Sequence, residues 1–292
     1  MELRQLRYFI KAAERSNFTE AANALFISQS TLSQQIQQLE NELKTPLFDR
    51  IAKRVRLTEA GNLFLPAARK TVRDAEEGRQ LLKDLSELTA GTLTIGLTYG
   101  LSDLVIKALK IFTDRYPKIL VQVIYGTPDG LIEFLSDGRI DFMLSFISHQ
   151  HRPLFESIPL FESKLSLIVP GNHPMARKTS IKLAEIQKLP LALPVDNFSI
   201  RNFLDAALLK QQLQLDIRLE TNDLNTLLQL AGAGTWCTIL MASSIFNFPN
   251  LKAIPITGKD MTRQATVTWT NDTYRKKAAE IFIDVMQAQA LV

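Results

Sequence analysis

Hydrophobic and polar positions divide the chain into three stretches. From Glu2 to Arg15 the apolar set Leu3, Leu6, Phe9, Ile10 and Ala13 recurs at the spacing of one helix face. Thr19 to Leu25 predicts a compact second helix, Phe26-Ile27-Ser28 a turn, and Leu32, Ile36, Leu39 and Leu43 the buried face of a third. Two helices joined so closely make a helix-turn-helix. That inward set leaves Gln29, Ser30, Thr31, Ser33, Gln34 and Gln37 pointing outward. Between Ile51 and Leu57 the alternation is short and basic, the pattern of a small β-hairpin. Thr58-Glu59 then opens a helix in which Phe64, Ala68, Thr71, Ala75, Gly78, Leu82 and Leu85 step alternately by four and three. This is a heptad seam, expected to join two copies of the chain. Run from Thr58 to Leu88, the helix would be about 45 Å long, with Pro66 as a place for a kink.

From Gly91 strands alternate with helices. Thr92–Thr98, Leu120–Tyr125 and Ile140–Phe146 read as strands, separated by a helix from Ser102-Asp103 carrying Ile106, Leu109 and Phe112 and by a short helix from Asp129 to Ser136. Lys164–Pro170 is a further strand. A second set of units follows: Leu191–Leu193, a helix Ser199–Lys210, Ile217–Glu220, a helix Asp223–Ala233, Thr238–Met241 and Leu251–Pro255. Gln264–Thr270 and a helix Asp272–Ala290 close the chain. Repeated β-α units predict a mostly parallel sheet with helices on its faces. In such a fold a ligand belongs between lobes, at strand ends and helix N-termini. Candidate positions are Thr98, Tyr99, Gly100 and Ser102 in one lobe, with Thr127 at a neighbouring strand end, Phe146 as an apolar wall, and Phe198 and Ser199 in the other lobe. Ser102 and Ser199 are equally the residue type that caps helices. Arg201 is either a counter-ion for a carboxylate or a solvated charge.

The outward residues of the third helix are amides and hydroxyls, which can pair with base edges, and a helix N-terminus favours phosphate. An ordinary solvated helix face has the same composition. The net charge of +4 is too small to decide between them, but Arg4, Arg7, Lys11, Arg50, Lys53, Arg54 and Arg56 gather around this motif. Catalytic chemistry has no support: no Ser/His/Asp or Lys constellation and no phosphate-binding glycine loop stands out. His149, His151 and His173 lack Cys or paired carboxylates at ligand spacing, so no metal is expected. The single Cys237 excludes an internal disulfide and reads as a buried small hydrophobe. No apolar run approaches a membrane span, and a soluble cytoplasmic protein is expected.

The series Leu3-Arg4-Gln5-Leu6-Arg7-Tyr8-Phe9, Asn17-Phe18-Thr19-Glu20-Ala21-Ala22, Ser28-Gln29, Leu32-Ser33, Gln35-Ile36, Leu39-Glu40, Leu47-Phe48-Asp49-Arg50 and Leu57-Thr58-Glu59-Ala60-Gly61 resembles the N-terminal domain of LysR-type transcriptional regulators. Two departures stand out: Lys44 replaces the family's usual glycine after the third helix, and Ser30-Thr31 stand where Pro or Ala is frequent. Further on, Gly91-Thr92-Leu93-Thr94-Ile95-Gly96, Tyr116-Pro117, Gly138-Arg139-Ile140-Asp141-Phe142 and Leu167-Ile168-Val169-Pro170 resemble the family's effector domain in order and spacing.

The resemblance implies an α/β protein with an all-α N-terminal domain: a winged helix-turn-helix over residues 1–58, a linker helix over 59–90, and a two-lobed effector domain of periplasmic-binding-protein architecture over 91–292. Its lobes would be 91–161 with 266–292, and 162–265. Double-stranded DNA, a small-molecule effector and a second copy of the chain, as homodimer or homotetramer, are the implied partners, with RNA polymerase a further one. Gln29, Ser30, Thr31, Ser33, Gln34, Gln37, Arg50, Lys53 and Arg54 would meet DNA, and Thr98 and Ser199 fall where relatives use hydroxyls to hold effectors. The run of the sequence is similar to cyanate-responsive members, which points to a small anion and no cofactor. Two other readings stay open: a ligand-binding or enzymatic α/β protein with an N-terminal assembly bundle, and an architectural protein that coats DNA.

Overall fold

The computed structural model describes the chain apart from residues 52–53, 85–90, 147–153, 197, 259–260, 272–273 and 291–292, and apart from the side chains of 50, 51, 54, 80, 81, 83, 84 and 290. The chain forms two compact units, Met1–Glu87 and Leu88–Val292.

In the first unit α1 (Leu3–Arg15) buries Gln5, Leu6, Phe9 and Ala12, while Leu3, expected inside, is exposed. Asn17 caps α2 (Phe18–Ala24), its Oδ1 accepting from the N–H groups of Thr19 and Glu20. Ser28 caps α3 (Gln29–Leu43) by accepting from the Thr31 N–H at 3.1 Å. Lys44 ends α3 in the left-handed region, at φ 53°. An L side chain is strained there, which is why glycine is the usual residue at such an end.

The chain then enters an antiparallel hairpin, β1 (Phe48–Ile51) and β2 (Arg54–Leu57), with Phe48 opposite Leu57. Glu40 Oε1 fixes the entry by accepting from the N–H groups of Leu47 and Phe48 at 2.7 and 3.0 Å. Thr58 donates to the Pro46 carbonyl and accepts from Gly61 N–H, starting α4 (Glu59–Asp84). A Cβ at Gly61 would lie 2.2 Å from the Leu47 carbonyl oxygen, so only glycine lets the helix approach this closely. The core stacks Phe9, Phe18, Phe48 and Phe64, with ring centroids 5.4–5.5 Å apart.

Helix α4 runs on through Pro66. Its expected seam divides in two. Phe64 and Ala68 pack into the core of their own unit, whereas Thr71, Gly78 and Leu82 are exposed. Leu85 lies outside the described residues.

The second unit begins with β3 (Gly91–Leu97), α5 (Ser102–Arg115), β4 (Ile119–Tyr125), α6 (Pro128–Ser136) and β5 (Phe142–Ser145). Next come β6 (Phe155–Pro170), β7 (Ile181–Lys182), α7 (Leu183–Ile186), β8 (Pro190–Pro194), α8 (Ser199–Gln211), β9 (Asp216–Thr221), α9 (Leu224–Gly232), β10 (Thr238–Met241), β11 (Leu251–Thr257), β12 (Thr262–Thr270) and α10 (Lys277–Ala290). The main sheet runs β4-β3-β5-β12-β6-β11-β7, with β10 also on β6, and β8 pairs with β9.

The sheet is mixed, which corrects the expectation of a mostly parallel one. Strand β6 pairs antiparallel with β10, β11 and β12, and β12 pairs antiparallel with β5. The reason is that β6 is 16 residues long and carries the chain from one lobe to the other, while β12 brings it back alongside. Two adjacent strands that cross in opposite senses must be antiparallel. Sequence reading recovered only Lys164–Pro170 of β6, because Pro159 looks like a break; it sits opposite Thr266, where the register with β12 shifts. On α5 the inward face is Leu104, Val105, Ala108 and Phe112, and Ile106 is exposed.

Candidate functional site

Helix α3 divides as its sequence pattern requires. Leu32, Ile36 and Leu39 are fully buried, and Gln29, Ser30, Thr31, Gln34 and Gln37 are exposed, with Ser33 half-buried. The exposed row carries no charge of its own. Gln29 Nε2 donates to Ser33 Oγ at 3.0 Å, and the Ser28 hydroxyl lies 2.8 Å from those of Ser30 and Thr31, so the first turn is a linked set of hydroxyls and an amide. Such groups can donate to or accept from base edges.

The basic cluster is less available than its sequence position implied. Arg4, Arg7 and Lys11 pair with Glu2, Glu76 and Glu14 at 3.3, 3.0 and 2.8 Å. On the hairpin Arg56 is exposed. Lys53 and the side chains of Arg50 and Arg54 lie outside the described residues.

In the second unit a cavity of about 660 Å³ opens beside the N-termini of α6 and α8. Thr127, Phe146 and Ser199 line it, as expected. A small recess of about 10 Å³, lined by Thr98, Tyr99, Thr127, Phe198 and Ser199, adjoins it through shared residues. Gly100 and Ser102 do not belong there: they line a different cavity of about 280 Å³, and Tyr99 borders both that cavity and the recess. The loop after β3 turns at Gly100, at φ 95°, and so presents its two halves to opposite sides.

The hydroxyls differ in what they have left to offer. Thr98 is buried and donates to the Leu144 carbonyl at 3.2 Å, and Thr127 caps α6 by accepting from Gly130 N–H at 3.3 Å. Ser199 neither caps α8 nor makes another hydrogen bond among the described residues, and Ser102 likewise makes no cap but accepts from the Tyr125 hydroxyl at 3.1 Å. Phe198, the residue before α8, supplies no capping side chain, and among the described residues no side chain accepts from the first-turn N–H groups of α8, which lie beside the cavity.

Arg201 is neither a ligand counter-ion nor a solvated charge. It is buried, and its guanidinium donates to the Pro194 carbonyl, Asp205 and Glu220. Burial works against its charge, and the two carboxylates outweigh burial, so its pKa lies above the ordinary value.

Among the described residues the cation that lines the cavity is Arg263, at the second position of β12, its guanidinium 3.6 Å from the centroid of the Phe203 ring. Sequence reading missed it, along with Asp129, Asn202 and Met241. The sequence pattern starts its strand two residues too late, at Gln264 instead of Thr262, and no local signal links Arg263 to helix α8.

No group of three or more His, Cys, Asp or Glu among the described residues could hold a metal ion. His149 and His151 lie outside those residues, and His173 Nδ1 accepts from Met175 N–H. Cys237 is buried, its Sγ 3.9 Å from His173 Nε2, and burial pushes its thiol up to about 11.

Residues 3–62 match the model of the bacterial regulatory helix-turn-helix proteins of the lysR family, and residues 86–291 match that of the LysR substrate binding domain. The chain belongs to the LysR family. It is 29% identical over 96% of its length, and 86% of the relative's, to a probable RuBisCO transcriptional regulator of Trichormus variabilis. Identity is 30%, covering 98% of this chain and all of the other, to the HTH-type transcriptional regulator BsdA of Bacillus subtilis. Among solved structures, full-length CbnR in complex with its target DNA matches with a TM-score of 0.67 at 24% identity, covering 99% of both chains. The LysR chain is therefore a DNA-binding transcriptional regulator with an effector-binding domain, from a family of regulators and not of enzymes. No helix among the described residues is long and apolar enough to cross a membrane.

Proposed function

We propose that this regulator senses a small organic anion, a carboxylate with an apolar body, in the 660 Å³ cavity. The observation that carries the reading is the placement of Arg263 and the N-terminus of α8, uncapped by Phe198, on a cavity whose apolar surface includes Phe146, Ile200, Phe203 and Met241. A guanidinium and free N–H groups together bind a carboxylate, and the apolar walls take the rest of the molecule. Asp129, which also lines the cavity, would repel a second negative charge. No cofactor is needed for this chemistry.

In this reading α3 enters the major groove with Gln29, Ser30, Thr31, Ser33, Gln34 and Gln37 toward the bases, and Arg50, Lys53 and Arg54 of the hairpin neutralise phosphates. Two copies of the chain, in a dimer or tetramer, join through the exposed part of α4, where Leu82 leaves 67% of its surface uncovered. The protein works in the cytoplasm, where effector binding biases two lobe arrangements and changes the DNA contacts that RNA polymerase meets.

The test is a footprint of the full-length protein on DNA flanking its own gene, with and without small anions from cyanate to benzoate. One of them should shorten or shift a discrete footprint. Arg263→Ala and Ser199→Ala should lose that response while binding DNA within about threefold of the parent. If both variants respond normally, the effector site lies elsewhere; no discrete footprint at any salt would overturn sequence-specific binding.

A further inference from the structure

The 280 Å³ cavity on the far side of Tyr99 differs from the first in charge. Among the described residues no Lys, Arg or His lines it, and two carboxylates do, Asp103 from the first turn of α5 and Asp223 from the cap of α9. Its apolar surface comes from the rings of Tyr99, Tyr125 and Phe248 and from Leu224 and Leu228. The cavity also holds an unmet polar group. Ser244 lines it, is 6% exposed, and its Oγ has no hydrogen-bond partner among the described residues. A buried hydroxyl left in that condition costs stability unless a ligand completes it.

Both carboxylates are held in place with acceptor capacity to spare. Asp103 accepts from the Asn247 N–H at 3.2 Å and from the Asn247 amide. Asp223 accepts from the N–H groups of Asn225 and Thr226 and from the Thr226 hydroxyl. Burial holds the Asp103 carboxyl above the usual carboxylate range against the pull of Asn247 and Lys107, as expected of a carboxylate short of a close counter-charge. The Lys107 ammonium lies instead over the Phe246 ring, 5.7 Å from its centroid.

We infer that this cavity is a second ligand site, for an alkyl- or arylammonium ion whose charged nitrogen sits between Asp103, Asp223 and Ser244 and whose apolar body lies on Tyr99, Tyr125 and Phe248. The ammonium donates to the carboxylates and to Ser244 Oγ, and the aromatic faces add cation–π attraction. The site joins the lobes: Asp103 precedes the lobe crossing at β6, and Asp223 and Ser244 follow it. Ser243 already bridges the lobes by donating to the Gly100 carbonyl at 3.3 Å. A bound cation therefore joins the two lobes, and Tyr99, whose ring contacts Tyr125 and Phe198 at 5.5 and 5.1 Å, lines both this cavity and the small recess that adjoins the first one.

The test is calorimetric titration of the full-length protein with phenethylammonium chloride, and with phenethyl alcohol as the neutral isostere. The amine should bind with a millimolar or tighter Kd and at least tenfold more tightly than the alcohol. The double variant Asp103→Asn/Asp223→Asn, which keeps acceptors for the local hydrogen bonds, should weaken the amine at least tenfold, and Ser244→Ala two- to fivefold. Asn202→Ala, in the other cavity, should leave it unchanged. No binding by the parent protein, equal affinity for amine and alcohol, undiminished affinity in the double variant, or a loss in Asn202→Ala would each overturn the assignment. The amine-to-alcohol comparison needs no variant, so it decides the matter even if the double variant fails to fold.

Discussion

Helix α3 and the 660 Å³ cavity solve the problem of presenting polar groups in opposite ways. Helix α3 exposes a row of side chains whose positions follow from one secondary structure, with Leu32, Ile36 and Leu39 clamping its other face. The cavity is a recess that draws on segments far apart in the chain: Thr127, Phe146, Ser199 and Arg263. Some of its polar capacity is main-chain N–H at the start of α8. A local site of the first kind fails when its scaffold fails. A composite site of the second kind can lose function through one distant residue while the fold survives.

The largest expected effect follows from the dependence of α3 on its buried face. Ile36→Ala should destabilise the first unit by about 2–5 kcal/mol and abolish DNA binding, as urea unfolding followed by a binding assay would reveal; the effector cavity, in the other unit, should still bind its ligand. Next, Gln29→Ala should cost about 1–3 kcal/mol of specific binding and relax preference at one base position. Arg54→Ala should instead weaken all sequences and lower the salt slope by about one unit. Equal, sequence-independent losses in the two variants would remove Gln29 from base reading.

A pH experiment sharpens the contrast from the side of the second unit. The Cys237 thiol has a native pKa raised to about 11 from 9.0. Between those values the folded chain retains a proton that the unfolded chain releases. Its contribution to stability is therefore complete below about pH 9 and is lost as pH rises toward 11. Urea midpoints measured from pH 8 to 11 should fall more steeply for the parent than for Cys237→Ala, and the thiol should resist alkylation at pH 8 in the folded protein. The smallest effect is expected at the end of α3. Lys44→Gly relieves the left-handed backbone at φ 53° and should raise stability by about 1 kcal/mol without altering base preference.

Periodicity was enough to place α3, its turn and its two faces, because a helix repeats within four residues and one side of it must be buried. The same local logic marked the hairpin between Ile51 and Leu57 and most strands and helices after Gly91. It failed where packing decides. The seam of α4 has perfect heptad spacing, yet Phe64 and Ala68 are taken up by the core of their own unit, since spacing does not say which surface a face will meet. Leu3 and Ile106 failed for the same reason.

The order of apolar and polar residues thus determined the helix-turn-helix, the alternation of strands and helices, and the loops on which an effector site could be built. Tertiary structure alone decided that β6 runs through both lobes, that Gly100 and Ser102 turn away from Thr98 and Ser199, that Arg201 is neutralised by Asp205 and Glu220, and that Arg263 reaches the cavity. The physical reason is range. Backbone hydrogen bonding and amphipathic burial act over a few residues and leave a pattern in sequence, whereas a charge finds its partner through space, and nothing in the intervening chain records which partner that will be.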